Sequence, residues 1–375
     1  VPAHPLVVDL DQTLVKTDTL IELAVSVLSH QPSTLFLLPG WLLRGRDVLK
    51  ANLAARATLD VANLPYNGAL LAFLQAEHAR GRRIILATAA DERVARAVAA
   101  HVGLFDLVLA SSDGVNLKGR HKLQRIREQV GDVFTYAGDA RADVPIWMEA
   151  RGAILVHVSP SVRQLLPATL AVEFDIPRPR RWYAALTAMR PAWWTTNLLV
   201  MAASLVTASP RPTPSLRGVL LLLLTVLACC LVASASYLVR DVIDAHADRR
   251  TPGDRRNAVA HGDLQAPDAM LLALLCGVTG LALGAMASLP TALTLLVYAL
   301  LGTGYVAARR RSVRGDAFVT AALVVSRPVA GAFALGANVS VASTALLFGV
   351  LAVALGVSSL GPPRRWRARP ARTLA

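Results

Sequence analysis

Apolar and polar positions alternate with two different rhythms along this chain. Over residues 5–165 the apolar runs are short and end in polar residues. They are Leu6–Val8 before Asp9, Arg83–Ala87 before Thr88, Leu107–Ala110 ahead of Asn116, Val133–Ala137 before Gly138, and Ala153–Val158. Short, nearly continuous apolar runs are the signature of strands buried on both faces. Helical segments such as Glu92–Val102 lie between them. This alternation predicts a doubly wound parallel sheet with its polar residues gathered at one edge, where α/β folds place their chemistry. Over residues 191–360 the runs lengthen to about 20 residues, the length that spans a bilayer. Six spans are predicted, at 191–209, 217–239, 267–287, 290–308, 317–336 and 342–360. The join at 176–190 is rich in Pro and Arg, carries the pair Trp182-Tyr183, and reads as an interfacial anchor.

Composition agrees with a membrane protein of more than one domain. The chain has 375 residues, 54% of them hydrophobic, with a mean hydropathy of +0.47, too apolar for an ordinary soluble domain. The net charge of +14 comes mostly from arginine. No aromatic–basic interleaving accompanies it, so nucleic acid is not expected as a partner. The arginines sit instead in the 176–190 linker, the 240–263 loop, Arg309–Arg314 and the basic tail at 361–375. With six spans all four segments fall on one side. The positive-inside rule then places both termini and the N-terminal domain in the cytoplasm of a multi-pass cell-membrane protein. Cys229, Cys230 and Cys276 all lie inside apolar runs, which excludes a disulfide framework or a CxxC metal site.

Four polar stations follow the predicted strands in order. They are Asp9-Leu-Asp11 with Thr13, then Thr88, then Lys122, then Gly138-Asp139 with Asp143. Their order and spacing resemble the haloacid dehalogenase-like hydrolases over residues 5–165. The resemblance implies a Rossmann-like hydrolase domain over 1–175 with a helical cap at about 17–80. It also implies a Mg²⁺-dependent phosphatase. Asp9 is then the nucleophile and Asp11 the acid and base, with Thr88 and Lys122 on the phosphoryl oxygens and Mg²⁺ among Asp9, Asp11, Asp139 and Asp143. The cap contains two apolar runs, Leu20–Leu28 and Leu35–Leu43, neither long enough to span a membrane. Two readings stand: a cap packing its own core, or a cap leaning on lipid with Trp41 at the interface.

The second acidic stretch is Tyr237–Arg250, at the end of an apolar run. If the helix continues through it, the spacing of Asp241, Asp244 and Asp248 puts all three carboxylates on one face. Carboxylates at a membrane boundary point to Mg²⁺ and a bound phosphate. Arg249, Arg250, Arg255 and Arg256 follow and are placed to clamp phosphate oxygens. His246 and His261 read as loop residues and not ligands. Gly280 and Gly284 read as close helix packing.

This half resembles the UbiA-type prenyltransferases, and Arg249-Arg250, Pro252, Arg255-Arg256, Val259-Ala260 and Gly262 resemble the branch that makes decaprenyl-phosphate phosphoribose. Tyr305–Asp316 with Arg327 and Gly331, and Arg190-Pro191 with Asn197, fit the same family. The resemblance implies an all-α transmembrane bundle over 191–360. It also implies a polyprenyl lipid substrate and a diphosphate co-substrate. Asp316 joins the three carboxylates on the metal, and Arg310 and Arg311 join Arg255 and Arg256 on the phosphates. Arg240 stands where the family has Asn, and the family's nine spans against six here imply a C-terminally truncated bundle. Three functions follow: a prenyl or phosphoribosyl transferase fused to a phosphatase, a membrane-anchored phosphatase with a degenerate transferase half, or a non-enzymatic lipid-binding scaffold. A full hydrolase motif set argues against the third. Oligomeric state is not legible.

Overall fold

In the computed structural model the chain divides into two compact units, Val1–Ala185 with Asp241–Ala269, and Leu186–Arg240 with Met270–Ala375. The structure describes residues 4–57, 59–111, 116–178, 181–195, 197–198, 208–209, 215–250, 257–308 and 315–360.

The first unit is built on a six-stranded sheet. Its strands are β1 (Leu6–Val8), β2 (Ile84–Asp91), β3 (Leu107–Ser111), β4 (Thr135–Gly138), β5 (Gly152–Val156) and β6 (Ala171–Ile176). They lie in the order β3-β2-β1-β4-β5-β6, and every pairing is parallel. Strand order therefore reverses beside β1, the place where open α/β sheets hold their ligands. Each parallel pairing needs a crossover. Helices α1 (Thr19–His30), α2 (Leu38–Leu43), α3 (Arg46–Arg56) and α4 (Gly68–Ala79) lie between β1 and β2. Helix α5 (Glu92–Val102) joins β2 to β3, α6 (Arg120–Val130) joins β3 to β4, and α7 (Val144–Trp147) precedes β5. Helices α8 (Pro160–Arg163) and α9 (Arg181–Ala188) flank β6.

The pleat sends alternate residues to opposite faces. Leu6, Val8, Ile84 and Leu86 pack on one side with Leu70 and Leu74 of α4 and Val94 and Val98 of α5. Val7, Ile85, Tyr136 and Leu155 pack on the other with Ile126 of α6 and Trp147 of α7. Both faces are thus dry, which is why the strands read as continuous apolar runs. The sixth strand was not among the five expected. Its residues are mostly exposed, and Glu173 within it is held by Arg82, whose Nη1 donates to Glu173 Oε2 (2.7 Å) and to Glu77 Oε2 (2.9 Å).

At Trp41 the cap follows the first of its two readings, a cap packing its own core. Trp41 is buried, with the Arg56 guanidinium 4.6 Å from its ring centroid. It belongs to the core of the cap and not to a lipid interface. The apolar surface of the cap is carried instead by Phe36, Leu37, Leu42 and Leu43, with Leu43 90% exposed.

The later helices are α10 (Leu216–Arg249), α11 (Ala266–Ala287), α12 (Leu289–Ala308), α13 (Gly315–Ala334) and α14 (Val341–Leu360). Of these α10 and α11 are long and apolar enough to cross a membrane. Glycine lets helices approach closely here. A Cβ on Gly280 would stand 2.7 Å from Val232 Cγ2 and 2.9 Å from Ala228 O. Two polar pairs inside the second unit offset the cost of burial: Trp194 Nε1 donates to Ser234 Oγ (3.1 Å), and Arg327 Nη2 donates to Tyr298 Oη (3.2 Å). The span expected at 191–209 begins as a 3₁₀ turn, Pro191–Trp194, and Ala208–Ser209 pairs antiparallel with Asn338–Val339 as a short strand. Residues 199–207 lie outside those described.

Candidate active site

The sheet assembles the first four polar stations. Val8 pairs with both Leu86 and Ala137, so Asp9 leaves β1 at the level of Ala87 and Gly138, one residue before Thr88 and Asp139. Gly138 makes the approach possible. A Cβ there would lie 2.7 Å from Asp143 Oδ2. Oxygens of Asp9, Asp139 and Asp143 all lie within 4.8 Å of one another. Lys122 reaches this group from α6, with Nζ 2.8 Å from Asp9 Oδ2 and 3.9 Å from Asp143 Oδ1. Its ammonium also donates to Tyr136 Oη (3.1 Å), which donates on to Asp143 Oδ1 (2.9 Å). Thr13 Oγ1 donates to Asp139 Oδ1 (3.3 Å). A cavity of about 460 Å³ opens over Asp9, Asp11, Lys122 and Asp139, with Leu20, Leu23 and Leu49 of the cap on its far wall.

Burial sets the electrostatics. It pushes the Asp9 carboxyl up against the pull of Lys122, and it pushes Asp139 well up with help from Asp143 and Asp9. Burial likewise lifts Asp11 to about 7, with Asp18 adding to it, while the Thr19 N–H donates to Asp11 Oδ1 (2.7 Å). Burial pulls Lys122 down, but Asp9 and Asp143 outweigh it, so the ammonium is held above its ordinary range. Crowded buried carboxylates of this kind need protons or a cation to offset their repulsion. One ammonium covers part of that. Three hard oxygen donors within one coordination sphere fit a divalent cation such as Mg²⁺.

Thr88 does not line this cavity. It lies within β2, fully buried, and its Oγ1 accepts from Ala90 N (3.0 Å). Ala89 and Ala90 line the cavity in its place. Sequence reasoning missed Tyr136, which has no motif spacing to betray it.

Ala in place of Gly138 is expected to force Asp143 and Tyr136 away from the strand end, at a cost of roughly 1–3 kcal/mol. Denaturant melts check this; an unchanged midpoint would count against it.

The three carboxylates of the second acidic stretch all lie on one helix, since α10 runs to Arg249. Asp241 is buried and Asp248 partly so. The three carboxylates do not form a compact donor set among the described residues. Asn257 Nδ2 donates to Asp248 Oδ2 (2.8 Å) and to Asp241 O (2.8 Å), and Asn257 Oδ1 accepts from Val259 N and Ala260 N. Arg249 and Arg250 each have a carboxylate partner in the cap. Arg249 forks onto Glu22 of α1 with two 2.8 Å bonds and donates from Nε to Ala260 O (2.6 Å). Arg250 is bound to Asp60 (2.6 Å). His246 is helical, and its Nε2 lies 3.2 Å from Glu22. Arg255, Arg256, Arg310 and Arg311 lie outside the described residues, as does the side chain of Asp316.

Comparison with known proteins places families on these two sites. Residues 6–147 match the haloacid dehalogenase-like hydrolases, and residues 193–362 match the UbiA prenyltransferase family. An uncharacterized protein of Sinorhizobium fredii, y4nM, is 33% identical over 87% of this chain and 63% of its own length. A decaprenyl-phosphate phosphoribosyltransferase of Mycobacterium tuberculosis is 32% identical over 39% of this chain and 49% of its own. This chain thus spans about half to two-thirds of the length of these curated relatives. A solved UbiA homologue from Archaeoglobus fulgidus bound to GPP and Mg²⁺ is 23% identical. That match covers 46% of this chain and 61% of that one, with a TM-score of 0.39. Both matched families are enzymes.

Proposed function

Given a chain whose residues 6–147 match haloacid dehalogenase-like hydrolases and whose residues 193–362 match UbiA prenyltransferases, we propose a membrane enzyme with two activities. The transferase half passes a phosphoribosyl or prenyl group from a diphosphate-bearing co-substrate to a polyprenyl-type lipid acceptor. The hydrolase half removes a phosphate from the product or a related ester. The observation that carries the hydrolase is Lys122 set between Asp9 and Asp143, beside Asp139.

In that reading an oxygen of Asp9 attacks phosphorus and forms an aspartyl phosphate, and Asp11 protonates the leaving oxygen. Asp11, lifted to about 7, is suited to carry that proton and then to take one from the water that hydrolyses the aspartyl phosphate. Lys122 offsets the charge of nucleophile and phosphoryl group together. Mg²⁺ held by Asp9, Asp139 and Asp143, with Asp11, would supply further neutralisation of the phosphoryl oxygens.

For the transfer reaction, Asp241, Asp244, Asp248 and Asp316 are the residues proposed to face the diphosphate, with Arg255, Arg256, Arg310 and Arg311 on its oxygens. The relative's phosphoribosyl chemistry supports polyprenyl phosphate as acceptor. The hydrolase and both arginine-rich loops are proposed to lie on the cytoplasmic side. A second reading, a membrane-anchored phosphatase with a degenerate transferase half, is favoured by Arg249 and Arg250 being engaged by Glu22 and Asp60.

The test uses full-length protein in detergent with labelled phosphoribosyl diphosphate, polyprenyl phosphate and Mg²⁺. Lipid-linked phosphoribose that loses its phosphate only when Asp9 is intact supports both activities. Absence of lipid product, with Asp9-dependent phosphate release from soluble esters, leaves the anchored phosphatase.

A further inference from the structure

A second cavity, of about 230 Å³, borders the carboxylate cluster on the side of β5 and β6, and Gln12, Asp139 and Ala140 line both cavities. Its wall carries three cations, Lys16, Arg141 and Arg178. Lys16 lies 3.6 Å from Asp263. The guanidinium groups of Arg141 and Arg178 have no hydrogen-bond or ion-pair partner among the described residues. With Asp139 committed to the carboxylate cluster and Asp263 facing Lys16, the two guanidinium groups leave the cavity cationic.

Its backbone is held in costly conformations. Gln12 (φ 57°) and His157 (φ 53°) both line it, and a left-handed conformation at a non-glycine residue persists only where the surroundings enforce it. The far wall is fixed by the segment after Asn257. Gly262 (φ +72°) comes so near that a Cβ on it would lie 2.6 Å from Lys16 Cβ, and Gln265 Nε2 donates to Lys16 O (2.6 Å). This is a shaped compartment beside the carboxylate cluster, lined by two exposed guanidinium groups. Guanidinium forks match the geometry of phosphate oxygens.

Resting on the hydrolase reading above, we propose that this cavity is a second-anion subsite. The hydrolase acts on esters bearing a second phosphate, as monoester or diester, which Arg141 and Arg178 bind while Asp9 attacks the first.

The experiment compares three substrates on full-length protein in detergent: ribose 5-phosphate, ribose 1,5-bisphosphate, and a polyprenyl-phosphoryl ribose 5-phosphate. The first has one phosphate, the second two in soluble form, the third two with one borne by lipid. Both two-phosphate esters are expected to exceed ribose 5-phosphate in kcat/KM by roughly tenfold or more, the scale of a charge-assisted hydrogen bond. Arg141→Ala with Arg178→Ala is expected to shrink that ratio towards one, and a melting curve confirms that the variant is folded. Equal kcat/KM for the three in the unaltered protein overturns the proposal. So does a ratio that survives both substitutions, and an advantage confined to the lipid ester that does so assigns it to the tail. Turnover of ribose 5-phosphate that persists in Asp9→Asn would instead overturn the hydrolase reading itself.

Discussion

Asp9→Asn is expected to lower kcat for phosphate-ester hydrolysis by about 10⁴-fold or more, the scale seen when a nucleophile is removed from a concerted site. The amide is close to isosteric, and its oxygen can still accept from Leu10 N, as Asp9 Oδ1 does at 2.8 Å. It cannot attack phosphorus, and it turns an N–H toward the Lys122 ammonium that now sits 2.8 Å from a carboxylate. Stability should move little, because the lost ion pair is partly offset by relief of repulsion with Asp139 and Asp143. Steady-state phosphate release beside a thermal melt separates the two effects. Activity within tenfold of the parent would remove Asp9 from the role of nucleophile.

Arg249→Met is expected to cost about 3–5 kcal/mol, because it strips a buried carboxylate of its partner. The Glu22 and Arg249 side chains are only 7% and 6% exposed. The same change frees Ala260 O, which Arg249 Nε binds. Pairing the substitution with Glu22→Gln should recover part of the loss, and the double-mutant cycle gives the coupling. The pH dependence has a definite sign. Burial pushes the Glu22 carboxyl up, but the Arg249 fork outweighs it and holds the group below the ordinary 4.5. A depressed carboxylate stabilises the fold fully above its unfolded pKa and loses that contribution as pH falls through the folded one. The gap between parent and variant should therefore be full at neutral pH and close below 4.5. A gap of the same size at both ends of urea melts would show that Glu22 is not the group involved. Because Glu22 sits in the first turn of α1, whose Thr19 N–H holds Asp11, the variant should also lose hydrolase activity.

Much of the hydrolase site is legible in the sequence, since Asp9, Lys122, Asp139 and Asp143 each follow a strand whose apolar run is local and unmistakable. What the sequence hides is what depends on distant pairing. β6 reads Ala-Val-Glu-Phe-Asp-Ile, with its middle exposed, and its Glu173 is explained only by Arg82, a residue 91 positions earlier. Trp41 looks like an interface residue until Arg56 is seen stacked on it. Thr88 has the right spacing, yet it is buried within β2 and accepts from Ala90 N instead of lining the cavity. Arg249 and Arg250 look like a phosphate clamp because like charges cluster in the chain, whereas their carboxylates lie in the cap. Tyr136 gives no signal, being one more buried aromatic until its hydroxyl is seen joining Lys122 to Asp143.

The bond between Glu22 and Arg249 also sets a timetable. The two residues are 227 positions apart. At a synthesis rate of roughly 5–20 residues per second, some 10–45 s separate their appearance. For that interval the first turn of α1 carries an acidic group whose partner has not been made. The hydrolase unit therefore cannot reach its finished form as an N-terminal nascent domain. It is completed only after the apolar part of α10 has been synthesised, so the last pieces of the hydrolase unit are made after a segment long and apolar enough to cross a membrane.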